Sequence, residues 1–205
     1  DYLHAEYPRA VLLDIGSTTA DIIPLNRFDD LKGLTDTGRL QKGYLVYTGM
    51  LRTSIPTLVR SVDLHGQATP VSTEFFATSA DAHLVLGHIS PDQYSCETPD
   101  HKEKTRTASL RRLARVVCAD LGEIGVDGAL QVARKFWDAQ RGMVCGQVRA
   151  IAENCGADEI LVAGIGAPLF ARELGATDLT TRLGEGADAL PALAVRELAK
   201  KACLQ

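Results

Sequence analysis

Three features of the sequence predict an α/β or mixed α+β layered domain, a mixed sheet flanked by helices. Apolar runs of strand length, Ala10-Val11-Leu12-Leu13 and Glu159-Ile160-Leu161-Val162-Ala163, end in turns of Gly and small hydroxyl residues. Helical spacing fills much of the stretch between them. Strands lead, helices follow, and one strand returns between helices, which is the layered α/β pattern.

The first run ends in Asp14-Ile15-Gly16-Ser17-Thr18-Thr19, and Asp21-Ile22-Ile23-Pro24-Leu25 resumes a β pattern. Two strands joined by a tight polar turn is the economical reading. Asn26 to Gly43 is polar and reads as a loop; Leu45-Val46-Tyr47 reads as a third strand stopped at Thr48-Gly49. Ile55-Pro56 with Leu58, Val59 and Val62 predicts a helix with Pro in its first turn. A short strand over Thr69-Pro70-Val71-Ser72 and a helix from Ser79 to Leu86 follow, then an exposed polar loop from Ser90 to Thr107. Leu110, Leu113, Ala114, Val117, Cys118 and Leu121 carry the stripe of a half-buried helix. A long helix spans about Gly128 to Asn154 with Gly156 as its cap. After the strand at 159–163, Pro168-Leu169-Phe170 opens a helix stopping near Gly175, and a last helix starts at Pro191 with Leu193, Val195, Leu198 and Ala202.

Composition excludes several classes. With 205 residues, 45% hydrophobic, 23% charged and a net charge of −4, the chain is neither collagen-like nor largely disordered. No stretch approaches the about 18 uninterrupted apolar residues of a membrane helix. Mild acidity is not the basic footprint of a nucleic-acid binder. Neither a membrane nor a nucleic acid is therefore an expected partner. The five cysteines, Cys96, Cys118, Cys145, Cys155 and Cys203, are odd in number and contain no Cys-x-x-Cys pair. A reduced, cytoplasmic protein is expected, with the cysteines of helical apolar stretches serving as small core residues.

Two turns can carry chemistry. In Asp14-Ile15-Gly16-Ser17-Thr18-Thr19-Ala20-Asp21, a carboxylate ends a buried strand and a turn of small residues follows. Gly16 permits close backbone approach, successive N–H groups can face phosphate oxygens, Ser17, Thr18 and Thr19 add donors, and Asp14 can hold Mg²⁺. The Walker lysine is absent. A β-hairpin with a polar turn explains the same residues. In Val162-Ala163-Gly164-Ile165-Gly166-Ala167-Pro168, a strand-to-helix turn can admit a nucleotide base or phosphate at a helix N-terminus. Tight strand–helix packing is the competing reading, and Leu169 stands where a third glycine would complete a dinucleotide fingerprint. His83 and His88 lie near Asp81 but have no third ligand spaced with them, so a metal reading is rejected.

The two turns, about 150 residues apart, resemble the second phosphate motif and the adenosine motif of the actin-like, sugar-kinase and chaperone ATPase superfamily. Within it, Leu12 to Pro24 is similar to the hydantoinase/oxoprolinase group. Leu45 to Thr53, Glu74 to Asp81 and Arg112 to Asp120 resemble the tetrahydromethanopterin-linked C1-transfer pathway proteins, whose archaeal members are methanofuran-pathway ether synthases. The resemblance is collinear over nearly the whole chain. It implies an actin-like, ribonuclease H-like lobe over residues 1–205, with a helical insertion around 50–125.

The implied reaction joins an aminomethylfuran diphosphate to a tyramine-derived phenol and releases pyrophosphate. On that reading Asp14 and Gly16 to Thr19 cradle the diphosphate with Mg²⁺, Arg52 is a bidentate phosphate partner, and Glu74 or Asp81 takes the phenolic proton. Arg52 can equally be a solvated helix-start residue, and Glu74 or Asp81 a cap or surface carboxylate. Gly164 and Gly166 would face a nucleotide if ATP is bound, as in a kinase or a hydantoinase-type hydrolase; a non-catalytic actin-like module is the third reading. Superfamily members have two related lobes, and the matches here belong to the second. The expected partners are therefore a small-molecule diphosphate and a first lobe of the same protein, with homodimer formation left open.

Overall fold

In a computed structural model of the chain, residues 3–183 are described. They fall into two compact units, one drawn from residues 1–47 and 144–205 and the other from residues 48–143. The helix expected from Pro191, its Leu193, Val195, Leu198 and Ala202, and Cys203 lie outside the described residues.

The first unit is built on a five-stranded mixed sheet. Its central strand β1 (Ala10–Ile15) is buried along nearly its whole length, which is why its residues are continuously apolar rather than alternating. β2 (Ala20–Pro24) pairs antiparallel with it and then with the short β3 (Leu45–Val46). On the other edge β6 (Glu159–Ala163) runs parallel to β1, and β7 (Thr177–Asp178) runs parallel to β6. The strand order is β3-β2-β1-β6-β7. Leu12, Leu161 and Ala163 join Leu3, Tyr7, Leu25 and Leu179 in a core on one face.

Asn26 to Gly43 is not the loop its polarity predicts. It holds a 3-10 turn (Leu25–Leu31) and helix α1 (Asp36–Lys42). Thr35 caps α1 by accepting from the Gly38 N–H at 3.2 Å, and Gly43 ends it at φ 74°. No residue of α1 is buried, so there is no apolar stripe for periodicity to detect.

In the second unit, α2 (Ile55–Leu58) is one turn, and Val62 belongs not to that helix but to strand β4 (Ser61–Leu64). β4 alternates exposed and buried residues and folds back on β5 (Gln67–Pro70). His65 and Gly66, both at positive φ, make the two-residue turn that matches strand twist. The strand expected over Thr69–Ser72 thus begins earlier and stops at Pro70.

Helix α3 (Ser79–Leu86) forms where expected. The 90–105 segment is not uniformly exposed, since Tyr94 and Thr98 are buried. Helix α4 (Arg106–Arg115) buries Leu110, Leu113 and Ala114, but Val117 and Cys118 fall beyond its end. Cys118 is exposed at φ 57°, and so is not the core residue its position in the stripe predicts. Helix α5 (Leu121–Cys155) starts earlier than expected and breaks at Gly125, whose φ of 66° is non-helical.

The hairpin, α3, α4 and the first half of α5 bury one core that includes Ile55, Val62, Leu113 and Phe136. Returning to the first unit, α6 (Ala167–Leu174) ends at Gly175 at φ 64°, and α7 (Thr180–Leu183) follows β7. Among the described residues no helix is long and apolar enough to cross a membrane.

Candidate functional site

The parallel pairing of β1 and β6 sets Asp14 beside Ala163, so the two turns singled out in the sequence emerge side by side at the carboxyl ends of neighbouring strands. Ligand sites of open α/β sheets form at such strand ends. The contact is close. Gly166 N–H donates to the Ile15 carbonyl at 3.2 Å, and Gly164 lies so near β1 that a Cβ on it would sit 2.5 Å from the Ile15 carbonyl oxygen and 2.8 Å from Asp14 Oδ1.

The glycine that close approach requires is therefore Gly164, at φ 84°, rather than Gly16. A Cβ at Gly16 would meet only the Thr19 carbonyl oxygen, at 3.8 Å. Gly166 is the N-cap of α6. This is the strand–helix packing that competed with nucleotide binding in the sequence, and both glycines take part in it.

In the β1–β2 turn, Gly16 N–H donates to the Thr19 carbonyl at 3.0 Å and the Ser17 and Thr18 hydroxyls lie 3.3 Å apart. The N–H groups of Ser17, Thr18 and Thr19 take no backbone acceptor among the described residues. Consecutive unused amides beside a strand end form a concavity suited to an anion.

Asp14 sits on the opposite side of the charge balance. Burial, and then the neighbouring Asp21 carboxylate, push its carboxyl above the usual range. Asp21 faces it across the strand pair and is itself ion-paired with Arg39. Asp14 has no ion pair among the described residues, so a cation beside it would relieve the strain. Among these residues no group of three or more His, Cys, Asp or Glu side chains could hold a metal. One carboxylate with hydroxyls suits Mg²⁺, which retains waters and takes further ligands from a phosphate.

The other three expected site residues lie in the second unit. Glu74 is exposed, and its N–H is held by Ser72 Oγ at 3.1 Å. Arg52 is exposed and pairs with no carboxylate among the described residues.

Asp81 is fully buried. Its Oδ1 accepts from Arg112 Nε at 2.8 Å, Ser109 Oγ at 2.7 Å and Tyr94 OH at 3.2 Å, and its Oδ2 accepts from the Thr78 N–H at 3.1 Å. Burial presses the carboxyl upward while Arg112 and the hydrogen bonds oppose it. Arg112 also reaches Asp100 through Nη1 at 3.0 Å and the Glu103 carbonyl at 3.2 Å. Asp81 thereby ties α3 to α4 and, through Arg112, to the 97–103 segment.

Sequence reasoning missed a second buried network. Gln140 Nε2 donates to the Gly49 carbonyl and the Thr48 hydroxyl, each at 2.9 Å. Because a carbonyl can only accept, the amide orientation is set. Gln140 Oε1 must then accept from His83 Nε2–H at 2.9 Å, which leaves His83 Nδ1 as the acceptor for His88 Nδ1–H at 3.0 Å. The two histidines are thus partners of each other and of Gln140, set edge-on to Trp137.

Burial, with His88 beside it, lowers His83 to about 3. The folded state therefore refuses a proton that the unfolded chain accepts below its ordinary value of 6.5. Stability is full above that value and falls as pH drops toward about 3. We expect a loss of about 1 kcal/mol by pH 5.5 and about 3 kcal/mol by pH 4 from this residue. Chemical denaturation across that range measures it, and a His83→Gln variant should flatten that part of the profile.

Comparison with known proteins adds to this geometry. Residues 2–201 match the hydantoinase/oxoprolinase family. A curated protein of Methanocaldococcus jannaschii, named as a (γ-L-glutamylamino)ethyl-phenoxymethyl-furanyl-methanamine synthase, is 36% identical over 156 residues, which cover 76% of this chain and 47% of that protein. A Methanococcus vannielii protein of the same name is 35% identical over 156 residues, 76% of this chain and 70% of its own length. The match thus spans about half of the first relative.

Proposed function

The chain belongs to the hydantoinase/oxoprolinase family, with the mixed α/β sheet of the actin-like ATPase fold, and from that premise we propose that it is part of a transferase of methanofuran-type cofactor synthesis. The reaction joins an aminomethylfuran diphosphate to a tyramine-derived phenol. The phenolic oxygen forms a bond to the furan methylene carbon, the carbon–oxygen bond to the diphosphate breaks, and pyrophosphate leaves with the electron pair. The phenolic proton passes to a general base, Glu74 or Asp81, of which Glu74 is exposed and Asp81 buried.

The observation that carries the proposal is the Gly16–Thr19 turn, where three N–H groups without backbone acceptors stand next to a buried carboxylate without an ion pair, both among the described residues. Donors of this kind stabilise the charge that develops on a leaving diphosphate. Mg²⁺, when bound, would neutralise the same charge, and Asp14 is the residue that would hold it. The synthase names of the two relatives support an enzyme of this class.

Titration calorimetry tests the turn directly. Pyrophosphate with Mg²⁺ should bind and Asp14→Asn should weaken it at least tenfold; preference for Mg·ATP over Mg·pyrophosphate would favour the kinase or hydrolase reading instead. Without metal, Asp14→Asn should not lower the melting temperature at neutral pH. A carboxyl held above its unfolded value contributes stability only below that value and loses it as pH rises, so removing the charge costs nothing. For the reaction itself, the full-length protein given the furan diphosphate and the phenolic amine should yield an ether product by mass spectrometry.

A further inference from the structure

We propose that a cleft of the second unit, bounded by Leu51, Arg52, Phe75, Glu97, Pro99 and His101, binds an aromatic ligand that carries an amino-acid-type arm, its ring on Phe75 and its carboxylate on Arg52. Its assignment as the seat of the phenolic reactant rests on the transferase reading above; the ligand chemistry does not.

The cleft has a volume of about 520 Å³, within the range of small-molecule sites. Its apolar wall is unusual. Phe75 stands 57% exposed on it and shares the lining with Leu51 and Pro99. An exposed ring gains most from a second ring in offset or edge contact.

The charged side chains of the lining are of both signs. Arg52 offers a planar guanidinium with no carboxylate partner among the described residues, matched in shape to a carboxylate. Glu97, 3.9 Å from His101 Nδ1, supplies an anion for an ammonium group. One cation, one anion and an aromatic wall describe a ligand with an aryl ring and a zwitterionic arm.

The walls are pinned from behind. Arg112, buried and paired with Asp81, holds Asp100 at 3.0 Å. Thr98 Oγ1 donates to the Lys102 carbonyl at 2.9 Å, and Cys96 Sγ lies 3.6 Å from the Leu51 carbonyl it donates to. Held in this way, the loop bearing Glu97 and His101 needs little ordering when a ligand enters.

The probe is γ-glutamyl-phenethylamine, which lacks the phenolic oxygen and cannot react; phenethylamine, without the carboxylate arm, is the control. Calorimetry on the full chain should show binding of the first and at least tenfold weaker binding of the second. Arg52→Ala and Phe75→Ala, both exposed and therefore expected to keep the wild-type melting temperature, should each weaken the probe at least tenfold. Glu97→Gln should weaken it less, and Mg·pyrophosphate affinity separates the two roles of Arg52: it is kept in Arg52→Ala if Arg52 serves the cleft and falls if Arg52 is the phosphate partner that the resemblance implies. Failure of the wild type to bind the probe, undiminished binding by the Arg52 and Phe75 variants, or loss of pyrophosphate rather than probe in Arg52→Ala overturns the cleft. Probe binding with no pyrophosphate binding anywhere leaves the cleft standing and removes the transferase reading.

Discussion

Replacing Gly164 with Ala should destabilise the protein by about 3 kcal/mol and abolish pyrophosphate binding at the adjacent turn. Two costs add. At φ 84° an L side chain is strained, by about 1–2 kcal/mol. The new Cβ would also stand 2.5 Å from the Ile15 carbonyl oxygen and 2.9 Å from its carbon. Neither atom is the end of a flexible side chain, so relief requires β1 and β6 to part where they pair at Asp14 and Ala163. Overpacking of this kind costs about 1–3 kcal/mol. Separation of the strands would also move Asp14, whose Oδ1 is the third atom within 3 Å of the added carbon. Thermal denaturation should show a fall of about 6–12 °C, and calorimetry should show lost pyrophosphate affinity. Gly16→Ala is the matched control, since its Cβ meets only the Thr19 carbonyl oxygen at 3.8 Å. It should be within about 0.5 kcal/mol of wild type. A Gly164→Ala protein as stable as Gly16→Ala would contradict the close packing of Gly164 against β1.

The contrast between these glycines marks what was legible in the sequence. The apolar runs at 10–13 and 160–163 are strands because β1 is buried along nearly its whole length and β6 from Leu161 to Ala163, and continuous apolarity is how such burial is written. Their pairing with each other is a tertiary fact, and without it nothing in the local pattern says that Gly164, rather than Gly16, makes the tight approach. Helix α1 was illegible for the opposite reason: it buries no residue, so its only marks are a Thr cap and a terminal Gly. Val62 misled because apolar residues at helical spacing also fit a strand whose alternate residues are buried. Ambiguity of that kind is inherent in short runs. Gln140 and Thr48 carried no signal at all, because a buried hydrogen-bond pair 92 residues apart leaves no spacing to read.

Asp81, a candidate base on the resemblance, sits in a buried hydrogen-bond network. Its carboxylate has four donors and no exposure, so it is committed before any substrate arrives. Asp81→Asn should therefore destabilise the protein by about 3 kcal/mol, because the buried Arg112 guanidinium loses one of its two carboxylate partners and keeps only the partly exposed Asp100. Asp81 raises Arg112 against the desolvation that would otherwise lower it. A guanidinium does not deprotonate in a protein even without that support, so the charge stays buried when Asp81 is removed. Arg112→Met should cost as much for the converse reason, and the double variant should cost less than the sum of the two, since neither charge is then stranded. Urea denaturation of the three proteins measures the coupling. Affinity for γ-glutamyl-phenethylamine should fall with the single variants, because Asp100 and the loop bearing Glu97 lose their anchor. A positioning residue acts through such binding and stability losses. A general base would instead give an Asp81→Asn protein of normal stability and normal probe affinity with a depressed rate of ether formation, and that combination would assign the phenolic proton to Asp81.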